Sequence, residues 1–110
     1  MTIEEISVDE LAGHLSAHPT EGALIDVREP AEYEEAHVAG AVLIPLSEFA
    51  DRLAEVPRVQ PLHIICRSGA RSLRAAESLA SAGVTAINVA GGTLAWIDSG
   101  RPVVVGPDRG

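Results

Sequence analysis

Short apolar runs alternate with segments of helical periodicity along this 110-residue chain, and this alternation constrains its fold more than any other feature. The apolar runs have the length and composition of buried strands and lie at residues 23–27, 42–44, 62–65 and 86–89. Strands that alternate with helices favour right-handed βαβ units. We therefore expect an α/β fold with a mostly parallel sheet and helices on both of its faces.

Helical patterns fill most of the remaining chain, at residues 8–17, 31–36, 48–54, 71–82 and 93–99. Ser7 and Glu10 have the spacing of a capping box in front of the first helix. Ser47 is the expected N-cap of the third helix, and Gly83 suits a left-handed C-terminal cap after the fourth. These boundary signals support the helix assignments.

Three polar or glycine-rich segments follow predicted strands directly: residues 26–29, the loop that begins at residue 66, and the pair Gly91-Gly92. In parallel sheets, ligands bind beyond the carboxyl ends of the strands. We therefore expect these three segments to meet at one end of the sheet and to form the functional site.

Composition narrows the class of protein. No apolar run approaches the ~20 residues of a membrane span, and residues 1–5 lack the apolar segment of a signal peptide, so a cytoplasmic protein is expected. A net charge of −8 argues against nucleic acid or anionic membrane as a partner. We expect one domain over residues 1–110, with a loosely ordered tail at residues 103–110.

The only cysteine, Cys66, lies on a short loop between a predicted strand and a predicted helix. The loop residues that we predict to bind substrate are Arg67, Ser68, Gly69, Ala70, Arg71 and Ser72. Backbone N–H groups in such a turn, with the positive end of the helix, can enclose an anion. A thiol in this position beside arginine can have its pKa lowered from about 8.5 to roughly 3.5–7.5, and it then reacts as the thiolate.

The alternative for Cys66 is a structural role, because free cysteine is commonly buried as a small apolar side chain. The two arginines, Gly69 and the strand–loop–helix context favour a catalytic cysteine. Since the chain has no second cysteine, it can form no internal disulfide and has no resolving thiol of its own. A group that Cys66 takes up must therefore leave to an outside molecule.

Four motifs together resemble those of the single-domain rhodaneses, a family of sulfurtransferases. They are residues 66–72, Asp26-Val27-Arg28-Glu29, His37-Val38-Ala39-Gly40-Ala41, and Gly91-Gly92 leading to Trp96 and Pro102. The resemblance covers almost the whole chain and implies a three-layer α/β/α fold with a five-stranded, mostly parallel sheet. It also implies a ping-pong reaction in which the cysteine takes a sulfane sulfur as a persulfide and passes it to a thiophilic acceptor.

This resemblance and the loop chemistry agree on the roles. Cys66 attacks a small anionic sulfur donor such as thiosulfate, and an external thiol, cyanide or a protein thiol accepts the sulfur; no cofactor and no metal are expected. Arg67 is the expected exposed cation that draws the donor. Arg71 belongs to the substrate-binding loop but is expected to fix that loop or add to its field rather than touch the donor. Asp26 and Arg28 are expected to support the site as a pair.

Two other functions fit the same loop. One is a sulfur-carrier or docking module that delivers sulfur to a partner protein. The other, which is favoured less, is a phosphatase-like or arsenate reductase-like activity, because relatives that handle those oxyanions have a loop one residue longer. Four residues separate Cys66 from Arg71 here, which matches the sulfur-handling length.

The remaining polar residues are expected to be structural. His37 is not expected to act as a base, because an existing thiolate needs none, and the equivalent histidine of the family is largely structural. His14 and His18 have the i,i+4 spacing of a metal pair, but a solvated helix face is the expected explanation. His63 is expected to project away from the cysteine. The acidic run at residues 29–35 is expected to be a solvated helix.

Overall fold

The computed structural model describes residues 2–110, and within them a five-stranded sheet has all of its paired strands parallel. The strands are β1 (Glu4–Ile6), β2 (Ala23–Asp26), β3 (Val42–Leu43), β4 (Leu62–Ile65) and β5 (Ile87–Val89). Their order across the sheet is β1-β5-β4-β2-β3, which places β4 at the centre. The expected parallel α/β architecture is confirmed.

Helices cover both faces of the sheet. They are α1 (Val8–Ala17), α2 (Pro30–Glu35), α3 (Leu46–Phe49), α4 (Ala70–Ser81) and α5 (Gly92–Asp98), with a 3₁₀ segment at Ala50–Glu55. Apolar side chains of α1, α2 and α5 share one core cluster, and those of α3 and α4 share the other. The expected three-layer α/β/α arrangement is therefore confirmed.

The central strand β4 contributes side chains to both core clusters, because successive side chains of a strand point to opposite faces of the sheet. Ile64 packs in the cluster under α3 and α4, whereas Ile65 packs in the cluster under α1 and α5. Both side chains are fully buried. A strand that is buried on both sides gives a rigid base for the loop that follows it.

The expected boundary of the third helix is wrong. Pro45 is the N-cap of α3, which begins at Leu46, and after Phe49 the helix tightens into the 3₁₀ segment. The Ser47 hydroxyl does not cap the helix but donates to Glu29 Oε2 at 3.1 Å. The other two boundary signals are confirmed, since Ser7 forms the capping box and Gly83 has a φ of +81°.

Strand β1 has no counterpart among the predicted strands. It is three residues long, and its first two residues are exposed glutamates, so it shows no apolar run. Its pairing with β5, where Glu5 lies opposite Asn88, is what makes it a strand. A three-residue edge strand is too short for a periodicity to be detected.

The C-terminal tail makes backbone hydrogen bonds with the segment around α2. His37 and Val104 exchange two hydrogen bonds of 2.9 and 2.8 Å, and Gly106 N–H donates to the Glu34 carbonyl at 2.7 Å. The His37 ring is buried, stacks on Tyr33 at 3.6 Å between centroids, and bonds the Asp108 carbonyl. Through these contacts His37 links the C-terminal tail to the segment around α2, which is a structural role. The loose order expected for residues 103–110 stays a prediction.

Within residues 2–110, no helix has both the length and the apolar character needed to cross a membrane. The same part of the chain holds no group of three or more His, Cys, Asp or Glu side chains arranged to bind a metal ion.

Three histidines lie together on the α1 side of the sheet. The His14 ring contacts His18 at 5.3 Å and the edge of His63 at 5.2 Å between centroids. His14 is therefore not simply part of a solvated helix face. Burial, and then the charge of His14, lower the pKa of His63 from 6.5 to about 4.

This shift predicts an acid-sensitive stability. His63 is protonated in the unfolded chain below pH 6.5 but stays neutral in the folded protein until about pH 4, so unfolding is favoured as the pH falls between these values. The free energy of unfolding should drop by about 2 kcal/mol between pH 7 and pH 5 from this group alone. Urea unfolding at both pH values measures it.

Two variants distinguish the contribution of His63 to the pH dependence of stability from that of other titrating groups. His63→Gln should lose that part of the pH dependence, whereas His18→Gln, at a half-exposed position on the same cluster, should keep it. An identical pH dependence in wild type and His63→Gln would contradict the assignment to His63.

Candidate active site

Cys66 directly follows the central strand β4 and is 1% exposed. Its Sγ accepts a hydrogen bond from the Gly69 amide at 3.1 Å and one from the Ser72 hydroxyl at 3.3 Å. Gly69 is the N-cap of α4 and Ser72 lies in its first turn. The sulfur is thus held at the positive end of a 12-residue helix, as the strand–loop–helix pattern predicts.

Two opposing effects set the acidity of this thiol. Burial raises the pKa of Cys66, because it disfavours the charged form. Hydrogen bonds from the Ser72 hydroxyl and from the amides of Ser72, Gly69 and Ser68 lower it, and together they outweigh the burial, so the pKa lies below its ordinary value. The site therefore makes the thiolate, the nucleophilic form, more accessible than it is in a free cysteine.

The carbonyls of the loop are held by the start of α5. Thr93 donates to the Cys66 carbonyl from its amide at 2.8 Å and from its hydroxyl at 3.0 Å, and the Leu94 amide donates to the Arg67 carbonyl at 3.1 Å. A Cβ at Gly92 would lie 2.5 Å from the Cys66 oxygen and 2.6 Å from the Arg67 oxygen. The glycine is therefore required for the loop to approach α5.

Gly69 gives the loop its shape. Its φ of +111° is in the left-handed region, where a side chain is strained. The same residue uses its amide to bond Sγ. Glycine at this position therefore both turns the chain into α4 and aims an N–H at the sulfur.

The two loop arginines have different positions. Arg67 is exposed, as expected. Arg71 forms a bidentate ion pair with Glu32 of α2, with N–O distances of 2.7 and 2.8 Å. Arg71 therefore ties the start of α4 to α2, which agrees with the expectation that it fixes the loop.

The two loop arginines are not the main cause of the lowered thiol pKa, contrary to the expectation from the sequence. The largest effects on the pKa of Cys66 are burial and hydrogen bonds from the loop and Ser72. The guanidinium of Arg71 is engaged by the Glu32 carboxylate, and this pairing lowers the pKa of Glu32 to about 2. Arg71 still interacts electrostatically with Cys66, but this interaction is weaker than its pairing with Glu32.

Asp26 and Arg28 form the expected pair at the end of β2. The Arg28 guanidinium donates to both Asp26 oxygens, with its shortest bond 2.8 Å, and also to the Ala36 carbonyl at 2.8 Å. The Arg28 amide adds a bond of 3.0 Å to Asp26. Because both residues are buried, the pair stabilises the turn into α2 that carries Glu32.

A groove of 260 Å³ runs beside the loop and is lined by Arg28 after β2, Arg67 after β4 and Thr93, which directly follows the Gly91-Gly92 pair. Its walls include Arg28, Glu32, Arg67, Thr93, Leu94 and Ile97. Leu94 and Ile97 are large apolar side chains that are 39% and 43% exposed. The carboxyl ends of β2, β4 and β5 therefore meet at one site, as the sequence predicts.

The family model described as "Rhodanese-like domain" matches residues 7–99. The chain belongs to the rhodanese-like domain family. It is similar to a sulfurtransferase of Allochromatium vinosum, with 34% identity over 103 residues that cover 93% of this chain and 95% of that protein. It is also similar to the thiosulfate sulfurtransferase PspE of Escherichia coli, with 41% identity over 70 residues, 62% of this chain and 67% of that one.

Among solved structures, a rhodanese-related protein from Thermoplasma volcanium superposes with a TM-score of 0.83 at 33% identity, covering 92% of this chain and 97% of that chain. The family and fold that the motifs suggest are thus both shown for this chain. The motifs that resemble those of the rhodaneses lie between residues 26 and 102, and the family match likewise extends over most of the chain.

Three polar residues near the loop make contacts that the sequence does not predict: Glu32, Asn88 and Thr93. The acidic run at residues 29–35 predicts a solvated helix, but Glu32 within it forms a salt bridge with Arg71. Asn88 accepts from the Ser72 hydroxyl, and Thr93 binds the Cys66 carbonyl. A polar residue in the apolar run of β5 was a signal for Asn88; nothing in the sequence distinguishes Glu32 from its acidic neighbours.

The Glu32–Arg71 pair predicts a second pH dependence, at lower pH. Because the folded pKa of Glu32 is about 2 and its ordinary value is 4.5, its stabilisation is present above pH 4.5 and is lost as the pH falls towards 2. Glu32→Gln should lower the free energy of unfolding by roughly 1 kcal/mol at pH 6, and by less at pH 3.

Urea unfolding of wild type and variant at the two pH values tests this difference. Glu34→Gln makes the same charge change at an exposed position of α2 and should cost less than Glu32→Gln at pH 6. Equal costs for the two variants would show that the pair with Arg71 does not stabilise the fold.

Proposed function

We propose that this rhodanese-like domain is a sulfurtransferase that accepts a sulfane sulfur from a small anionic donor on Cys66 and passes it to an external thiol. The observation that carries the proposal is the environment of Cys66 Sγ, which is buried yet surrounded by the Gly69 amide and the Ser72 hydroxyl. These donors stabilise an anionic sulfur without solvent.

The first half-reaction forms a bond between Cys66 Sγ and the outer sulfur of the donor. For thiosulfate, the thiolate attacks that sulfur, the bond between the two sulfur atoms of the donor breaks, and sulfite leaves with the electron pair. The product is a cysteine persulfide with its negative charge on the terminal sulfur. No proton is transferred, so no general base is needed.

The second half-reaction restores the enzyme. The thiolate of an acceptor attacks the terminal sulfur, and the Cys66 thiolate leaves into the same hydrogen bonds that stabilised it at the start. The acceptor must come from outside, because Cys66 is the only cysteine of the chain. An external low-molecular thiol, a protein thiol or, in an assay, cyanide can fill this role.

Arg71 argues against a phosphatase-like reaction. A tetrahedral oxyanion with two or more charges needs free cationic donors around it. The Arg71 guanidinium is occupied by both oxygens of Glu32. The short loop, with four residues between Cys66 and Arg71, is consistent with a site for one sulfur atom rather than a phosphate.

Arg67 supports an anionic donor. It is exposed beside the groove, and no salt bridge within residues 2–110 involves it. The name of the Escherichia coli relative, a thiosulfate sulfurtransferase, supports thiosulfate as a donor. We therefore propose Arg67 as the residue that binds the oxyanion end of the donor.

Delivery of sulfur to a partner protein is a second candidate function. Leu94 and Ile97 are exposed apolar side chains on the wall of the groove that also contains Arg67. A protein thiol presented at this groove would bury them. Poor transfer to cyanide combined with fast transfer to a specific protein would favour this function over a small-molecule acceptor.

A persulfide on Cys66 is the central prediction. Incubation with thiosulfate should add the mass of one sulfur atom, about 32 Da, to the intact protein, and a thiol should remove it. Intact-protein mass spectrometry measures both steps. Cys66→Ser is the control and should stay unmodified; a wild-type protein that gains no sulfur from thiosulfate or from organic persulfides would disprove the proposed function.

The role of Arg67 predicts a binding defect. Arg67→Ala should raise the KM for thiosulfate about fivefold with a smaller change in kcat, and added salt should weaken wild type towards the same donor. Steady-state kinetics measure both effects. Arg74→Ala removes an equal charge from an exposed position of α4 and should leave KM nearly unchanged; equal KM values in the two variants would exclude Arg67 as the docking cation.

A further inference from the structure

Buried polar side chains connect the cysteine to an exposed carboxylate on the edge strand. Ser72 Oγ lies 3.3 Å from Cys66 Sγ and donates to Asn88 Oδ1 at 2.5 Å. Asn88 Nδ2 in turn donates to Glu5 Oε2 at 2.6 Å. Ser72 and Asn88 are 0% and 1% exposed, whereas Glu5 is at the surface on β1. The proposed reaction gives no role to Asn88 or Glu5.

The orientation of the Asn88 amide is fixed by its neighbours. Nδ2 faces the Glu5 carboxylate and, at 3.2 Å, the Gly69 carbonyl. Neither group carries a proton, so turning the amide over would place Oδ1 against two acceptor oxygens. Asn88 Oδ1 therefore faces Ser72 and can only accept a hydrogen bond.

The Ser72 hydroxyl has one proton and more than one acceptor. Asn88 Oδ1, Cys66 Sγ and the Gly69 carbonyl, which is 3.2 Å away, all lie within reach of Ser72 Oγ. A protonated thiol can supply its own proton to Ser72 Oγ, which leaves the hydroxyl proton for Asn88. A thiolate needs the hydroxyl proton itself.

We propose that the Ser72 hydroxyl proton alternates between Asn88 Oδ1 and Cys66 Sγ as the charge on the sulfur changes, and that Glu5 holds Asn88 as the competing acceptor. The hydroxyl turns towards Sγ in the thiolate and back towards Asn88 in the thiol. In the persulfide the charge is on the terminal sulfur, so the hydroxyl again bonds Asn88. Only this persulfide state rests on the proposed function, since the thiol and the thiolate exist without it. The change is a rotation, so no covalent bond is broken.

Asn88 is thus a positioning residue that acts on the sulfur through Ser72. Other charged groups around the loop are Arg67, the pair of Arg71 and Glu32, and the pair of Asp26 and Arg28. Within residues 2–110 none of them hydrogen-bonds to Ser72 or Asn88. A substitution at Asn88 therefore leaves these charges in place.

The test measures the thiol directly, without a sulfur donor. Asn88→Leu keeps the approximate side-chain volume but removes Asn88 Oδ1, which leaves Cys66 Sγ and the Gly69 carbonyl as the acceptors within reach of Ser72 Oγ, and of these two the charged thiolate is the stronger acceptor. The rate of alkylation of Cys66 by iodoacetamide, measured against pH, should give a lower apparent pKa, with a rate about fivefold higher at a pH below that pKa. An unchanged or raised pKa would overturn the proposal.

A double variant shows whether the effect passes through Ser72. Ser72→Ala should raise the apparent pKa of the thiol, because it removes a donor to Sγ. In that background Asn88→Leu should cause no further change. A pKa shift of equal size with and without the hydroxyl would mean that Asn88 acts on the loop in some other way, and would also overturn the proposal.

Glu5 gives a test that does not disturb the core. Glu5→Ala removes the carboxylate that polarises and orients the Asn88 amide, so Asn88 Oδ1 becomes a weaker competitor for the Ser72 proton. The rate of Cys66 alkylation at a pH below the apparent pKa of the thiol should therefore rise about twofold. Glu4→Ala makes the same charge change one residue earlier on β1 and should cause a smaller effect. Equal changes in alkylation rate in Glu5→Ala and Glu4→Ala would overturn the role of Glu5. These two variants test the proposal even if Asn88→Leu does not fold.

The alkylation experiments can fail or succeed independently of the proposed sulfurtransferase function. Alkylation reports the thiol alone, so a protein that never gains sulfur from thiosulfate can still show the predicted change in the pH profile. Conversely, normal persulfide formation with an unmoved pH profile in Asn88→Leu would overturn this inference and leave the sulfurtransferase proposal intact.

Discussion

The site depends on the hydrogen bonds between the start of α5 and the carbonyls of the cysteine loop. Peptide groups have a donor and an acceptor on opposite sides, so holding the Cys66 and Arg67 carbonyls against Thr93 and Leu94 leaves the loop free to direct amides at the sulfur. Gly92 permits the approach because any side chain there would collide with both carbonyls. A segment distant in sequence therefore shapes the nucleophile loop.

Burial and hydrogen bonding have opposite effects on the nucleophile, and the site needs both. Removing Cys66 from water raises the pKa of its thiol, but it also increases the strength of every donor aimed at the sulfur. A solvated cysteine would be easier for a substrate to reach, but hydrogen bonds from the amides would stabilise its thiolate much less. The structure combines a buried sulfur with a backbone amide held in place by the loop and a hydroxyl within reach, and both can donate to the anion that the proposed reaction needs.

The sequence was sufficient for the parts of the fold that rest on local patterns. The strand–loop–helix at Cys66, the capping box at Ser7 and the meeting of three strand ends all follow from apolar periodicity and glycine positions. Contacts between distant segments were not predictable in this way. Glu32 looks like its acidic neighbours until α2 is packed against α4, and β1 becomes a strand only because β5 offers it an edge.

The charge that the site presents to solvent depends on which of its arginines are paired inside the fold. Two arginines follow Cys66 closely, and a third, Arg28, lies at the end of β2, but Arg71 and Arg28 are each bound to a carboxylate. Arg67 is the loop cation left exposed to solvent, in a chain with a net charge of −8. At physiological salt the field of an exposed charge extends only about 8 Å, so Arg67 acts on groups close to the mouth of the groove that it lines. Ion pairing inside the fold thus satisfies Arg28 and Arg71, and within residues 2–110 it leaves Arg67 as the loop arginine without a carboxylate partner.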